Sequence, residues 1–144
     1  MSNKQRGIDV EDFVKKFFNL KDSNTHEFDA LDGSIPIEIK STELYHDEKN
    51  KKGSYRLVHG RINIHPDAHL HLADNAEYVF LILHKGYPLF TVRLPKNSVD
   101  KLLKDKKIQK KWKLTLTKII QESLRIKGST CFLSQQSLNN NTVK

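Results

Sequence analysis

Val10, Phe13, Val14 and Phe17 recur at i, i+3, i+4 and i+7, which predicts an amphipathic helix over about residues 9–20 with Asp9 as its N-cap. The pattern then changes period. Glu27–Leu31 and Ser34–Lys40 are short strand-like runs on either side of Asp32-Gly33, a pair that signals a hairpin. In the second run Ile35, Ile37 and Ile39 alternate, so they share one sheet face and should enter the core. Thr42–Ser54 is polar and charged and is expected to be a mobile loop. Tyr55–Ile64 reads as a strand, and Pro66 suits the first turn of a short helix reaching about Ala73. Tyr78–Leu83 is a continuous apolar run of strand length, expected at the centre of a sheet with both faces covered. His84-Lys85-Gly86 turns the chain, and Tyr87–Leu94 returns, with Pro88 marking an edge or a strand start. Val99, Leu102 and Leu103 predict a helix begun by Asn97 or Ser98, and Leu116, Ile119, Ile120 and Leu124 predict another. The order predicts an α/β fold with a central mixed sheet flanked by helices.

Composition narrows the class. The 144 residues suit one domain, expected over 1–126, followed by a polar tail over 127–144 that frays near Asn139–Asn141. One Cys excludes a disulfide framework and a multi-thiolate zinc site. A mean hydropathy of −0.61, no long apolar run and a polar Met1–Arg6 point to a soluble, intracellular protein without membrane contact. The net charge of +8 is uneven. Residues 1–50 hold 7 basic and 11 acidic side chains, whereas residues 101–144 hold 11 and 2. A basic chain with an acidic first third suits a polyanionic partner on which local carboxylates hold a metal.

The candidate chemistry lies in the hairpin. Glu38 and Lys40 fall on the face opposite the isoleucines. A turn at Asp32-Gly33 pairs Leu31 with Ser34 and puts Asp29 on that same face, a diagonal neighbour of Glu38 at about 7–8 Å. Glu27 shares the face as a rival, directly opposite Glu38. Like charges so placed repel, and a hard divalent cation would remove the repulsion and activate a water. An ammonium between two carboxylates is held in its charged form, so Lys40 reads as an electrostatic group rather than a general base.

Asp29 followed by Glu38-Ile39-Lys40 resembles the D…(D/E)-x-K signature of the PD-(D/E)XK nuclease superfamily, which includes type II restriction enzymes and archaeal Holliday-junction resolvases. Gly7-Ile8-Asp9-Val10-Glu11 is similar to the family's Gly-x-x-x-Glu pattern on the first helix. Phe28 stands where the signature often has proline. The resemblance implies a restriction-endonuclease-like α/β/α core and Mg²⁺-dependent DNA hydrolysis, with Mn²⁺ as a substitute. It implies Asp29, Glu38 and Lys40 as catalytic residues. Asp29, Glu38 and the Ile39 carbonyl would ligate the metal, with Glu11 as an outer ligand.

In such an enzyme Lys51, Lys52, Arg56 and Arg61 would contact DNA, duplex or branched, and His69 would either meet DNA or hydrogen-bond locally. Seven lysines between Lys101 and Lys113 suit a nucleic-acid backbone or a solvated face. His59, His65, His69 and His71 lack the spacing of a zinc site. One active site per chain implies a homodimer for duplex cleavage. Base-specific reading would require elements that enter the major groove, and only Thr42–Ser54 and the C-terminal third could supply them.

Overall fold

The computed structural model describes residues 8–104 and 112–133. Helix α1 (Val10–Phe18) begins where the Asp9 side chain accepts the Asp12 N–H at 3.1 Å. It stops at Asn19, whose left-handed backbone (φ 56°) returns its N–H to the Lys15 and Lys16 carbonyls. Strands β1 (Lys21–Asp22), β2 (Ala30–Asp32) and β3 (Ile35–Glu43) follow, each antiparallel to the next. The β2–β3 turn is Gly33-Ser34, not Asp32-Gly33, because Asp32 pairs with Ile35. Gly33 takes φ +62° while Ser34 keeps a negative φ, the pattern of a type II′ turn with glycine first. The register therefore shifts by two residues. That keeps each paired residue on its expected face, and it ends the ladder at Ala30 opposite Ile37, so that Asp29, the next residue out, comes alongside Glu38.

Beyond β3 the chain departs from expectation. Thr42–Ser54 is not a loop: β3 runs to Glu43, and β4 (Tyr45–Lys49) pairs antiparallel with β5 (Tyr55–His59) as a separate two-stranded ribbon. The strand expected over 55–64 is broken at Gly60 into β5 and β6 (Arg61–Ile64). The backbone at Gly60 packs against the end of β3; a Cβ there would lie 2.0 Å from the Glu43 carbonyl and 2.3 Å from Thr42 Oγ1. Gly60→Ala is expected to destabilise the fold by about 2 kcal/mol through this overpacking, read as a lower urea midpoint.

Helix α2 (Pro66–His71) has Pro66 in its first turn, as expected. Strands β7 (Glu77–His84) and β8 (Tyr87–Pro95) form the central hairpin, and residues Tyr78–Leu83 are all buried. Pro88 sits near the start of β8, opposite Leu83, where a register irregularity follows Ile82. It is a strand-start proline, not an edge marker, since β8 is an interior strand. Helix α3 (Lys96–Leu103) starts behind Pro95, with no side-chain cap from Asn97 or Ser98. Strand β9 (Trp112–Thr115) pairs with β6, and helix α4 (Leu116–Ser123) is capped by Thr115, which accepts the Lys118 N–H. Strand β10 (Thr130–Phe132) lies in the stretch expected as tail and adds to β8, so the sheet extends past residue 126. Residues Met1–Arg6, Gly7, Lys106, Lys107, Lys110, Lys111 and Asn139–Asn141 lie outside the described residues.

The fold is α/β. Its central mixed sheet has the order β1-β2-β3-β7-β8-β10, with β3 and β7 parallel and the other neighbours antiparallel. Val10 and Val14 of α1 pack with Ile37, Ile39, Val79, Leu81 and Leu83 on one face. Tyr78, Phe80, Ile82, Val92 and Leu94 pack with Val99, Leu103, Leu116 and Ile119 of α3 and α4 on the other. Each layer removes an apolar sheet face from water, which is why the buried run Tyr78–Leu83 of β7 is stable there. Arg93 ties the layers together. Its Nε lies 2.5 Å from Glu77, its Nη2 2.6 Å from Asp32, and its guanidinium 5.7 Å from the Phe18 ring centre. Among the described residues no helix is long and apolar enough to cross a membrane.

Candidate active site

The site forms where β2 begins and β3 passes. Alternation along β3 sends Ile37 and Ile39 into the α1 layer and leaves Glu38 and Lys40 on the opposite face, next to Tyr78 and Phe80 of the parallel strand β7. Asp29 immediately precedes β2. Its N–H donates to the Ile37 carbonyl at 3.0 Å, and its Oδ2 accepts the Ile39 N–H at 2.8 Å. The carboxylate thus continues the ladder where the strand ends, and the backbone on both sides of Glu38 orients it.

Asp29 is the hub of an acidic cluster. It shares a side-chain hydrogen bond with Glu38 on one side and with Glu11 of α1 on the other. Burial, then the hydrogen bond and charge of Asp29, push the Glu38 carboxyl from 4.5 up to about 8, opposed by the nearby Lys40 ammonium. Glu11 is raised as well, chiefly by desolvation and by Asp29, and Lys15 opposes this. Glu27, the rival on sequence grounds, is exposed, with its N–H bonded to Thr25 in a turn, and it does not perturb Glu38. Asp29 takes the place next to Glu38.

Electrostatically these acids act together, yet among the described residues no three His, Cys, Asp or Glu side chains surround a common point as a ready metal cage. The hydrogen bonds account for this, since the carboxyl groups pair through Asp29 instead of facing one centre. The donor set still fits a hard divalent cation. Burial beside Asp29 keeps Glu38 protonated up to about 8, and a cation in the proton's place would let it ionise; Mg²⁺ needs only one or two carboxylates, the rest being water and phosphate oxygens.

The expected DNA contacts divide. Lys51 and Lys52 are exposed at the ribbon tip, and Arg56 and Arg61 are exposed on its second strand and at its base. Both arginines approach Glu48, at 3.8 and 3.7 Å. His69 does not join them. It is 2% exposed, with Nδ1 2.6 Å from the Tyr78 hydroxyl and Nε2 hydrogen-bonded to Asp100. The helix behind Pro66 turns it inward, so it is a structural residue. His69→Phe is expected to leave the buried Tyr78 hydroxyl without its His69 partner and to cost about 2 kcal/mol in urea unfolding.

Two contributors escaped the sequence reading. Lys15 sits one turn from Glu11 and bonds Asp22 at 3.0 Å, a position that the i, i+4 spacing could have revealed. Tyr78 lies beside Glu38 across the parallel pair and was hidden inside an apolar run. Comparison with protein-family models finds no match to this chain, and comparison with curated proteins finds none.

Proposed function

We propose that this chain is a metal-dependent endonuclease that hydrolyses phosphodiester bonds in DNA, of the PD-(D/E)XK type. The observation that carries the reading is the Asp29 carboxylate held on the Ile39 N–H and hydrogen-bonded to Glu38, with Lys40 two residues on along the same strand face. The order of α1, the hairpin and then the buried parallel strand β7 supports the resemblance to the restriction-endonuclease-like core. Asp29 and Glu38 would hold Mg²⁺, or Mn²⁺ in its place, together with the Ile39 carbonyl, and Glu11 would act as an outer ligand. The bound cation supplies charge neutralisation at the phosphate and an activated water. Lys40 adds positive charge beside the scissile phosphate, Asp29 holds Glu38 in register, and Lys15 limits the repulsion around Glu11. One such site cuts one strand, so a homodimer is the assembly that cleaves a duplex.

The test incubates the purified chain with supercoiled plasmid and with a synthetic four-way junction, in Mg²⁺ and in EDTA. Mg²⁺-dependent cutting supports the proposal. Discrete plasmid fragments mark a restriction-like enzyme, and cutting of the junction alone marks a resolvase. Binding without cutting overturns the enzymatic reading and leaves a DNA-binding module.

A further inference from the structure

Among the described residues the ribbon β4–β5 pairs with no third strand. A two-stranded hairpin is marginal in water by itself, yet this one is exposed along most of both strands. Its base is nonetheless held firmly. The Leu44 N–H donates to the Leu83 carbonyl at 2.6 Å, the Gly60 N–H donates to the Leu44 carbonyl at 3.0 Å, and Gly60 packs closely on β3. Its tip is also ordered, since the Asn50 side chain accepts the Lys52 and Ser54 N–H groups, both at 2.9 Å, and Gly53 supplies φ +85°. The ribbon is a stiff arm leaving the strand that carries Lys40, starting five residues beyond it.

The register sorts the two faces. Tyr45 pairs with His59, Asp47 with Leu57 and Lys49 with Tyr55, so these six share one face. Tyr45 is 42% exposed, Tyr55 68% and Leu57 69%, a run of large apolar groups along one side. The arm also bears Lys49, Lys51, Lys52 and Arg56, against Asp47 and Glu48. Apolar groups set among basic ones on a narrow rod match one surface well. The major groove of duplex DNA is about 12 Å wide and 8.5 Å deep, accepts a two-stranded ribbon, and offers thymine methyls at its floor and phosphates at its rims.

We propose that β4–β5 is a groove-reading arm. The Tyr45/Leu57/Tyr55 face lies on the base edges of duplex DNA, and Lys51 and Lys52 grip the flanking phosphates. This rests on the endonuclease reading and deepens it, because it makes the substrate a duplex sequence and not a branch point. Five residues per strand rise ~16 Å, about half a turn of duplex, so each arm would read some four to five base pairs.

The test measures binding, separately from cleavage. Full-length protein is used in EDTA to select from a library of randomised 30-base-pair duplexes. The variants are Tyr55→Ala with Leu57→Ser, Lys51→Ala with Lys52→Ala, and Leu124→Ser as a control for an exposed apolar residue elsewhere. The native chain and the control are expected to enrich the same short motif. The Tyr55/Leu57 variant is expected to lose the enrichment at least tenfold. The double lysine variant is expected to keep the motif, bind more weakly on all sequences and lower the salt slope by about 2. Unchanged enrichment with the Tyr55/Leu57 variant overturns the arm. So does a dimer that becomes monomeric in that variant while its DNA selection is unaltered, since the face is then covered by a second copy. If plasmid is cut in Mg²⁺ yet no motif is enriched, the arm fails and the endonuclease reading stands. If DNA is neither bound nor cut, both fail.

Discussion

Asp29→Ala and Glu38→Ala are each expected to lower Mg²⁺-dependent DNA cleavage by on the order of 10³-fold or more, the scale of removing one electrostatic group from a reacting centre. DNA binding should survive in both, and should tighten at low salt, because each change removes negative charge from the surface that would face phosphates in the proposed enzyme. Glu11→Ala should cost less, about 10–100-fold, as suits a residue that acts through another ligand. Glu27→Ala should cost nothing, since its carboxylate stands apart from the cluster. A nicking assay in Mg²⁺ beside an anisotropy titration in EDTA reads all four. Full activity of Asp29→Ala or Glu38→Ala would remove that residue from the site.

The second large effect is on stability, and its sign follows from burial. An unfolded chain ionises Glu38 near 4.5, whereas the folded chain holds the proton to about 8. At Glu38 the folded form therefore binds more protons between those values, so the Glu38 contribution to stability falls as pH rises through that window and levels off above it. Screening by partial solvation reduces the full value of the shift to about 3 kcal/mol. That is roughly 10 °C in Tm for a domain of this size. Two controls follow. Glu38→Gln should flatten the fall, because its amide cannot ionise. On the proposed metal site, Mg²⁺ should raise Tm more at pH 8.5 than at pH 5.5, because only the ionised carboxylates would bind it. A Tm independent of pH between 5 and 8.5 in the native chain would show that Glu38 is not the buried, paired acid described above.

Local pattern carried much of this. The α1 face, the alternation of Ile35, Ile37 and Ile39, and the apolar β7 each follow from a period of 3.6, a period of 2, or none, and those periods are set by backbone geometry. The Asp29–Glu38–Lys40 face was legible for the same reason. Even a turn misplaced by one residue shifts a hairpin register by two, and parity keeps side chains on their face. The ribbon was only half legible. Tyr55–His59 falls inside an expected strand, but β4 has Tyr45 as its one large apolar residue, so no alternation marks it, and the ribbon is held by backbone contacts from Gly60 and Leu44 to distant parts of the chain. The strand β10 was missed for a related reason, since three residues carry too little periodicity to register.

The sequence by itself determined which residues share a face, because side-chain direction is a property of the local backbone. Only the tertiary structure decided which faces meet. It chose Asp29 over Glu27, drew Glu11 into the cluster, buried His69 against Tyr78 and Asp100, and raised the β4–β5 arm. Those outcomes depend on burial and charge contributed by segments far apart in the chain, which no short window of residues contains.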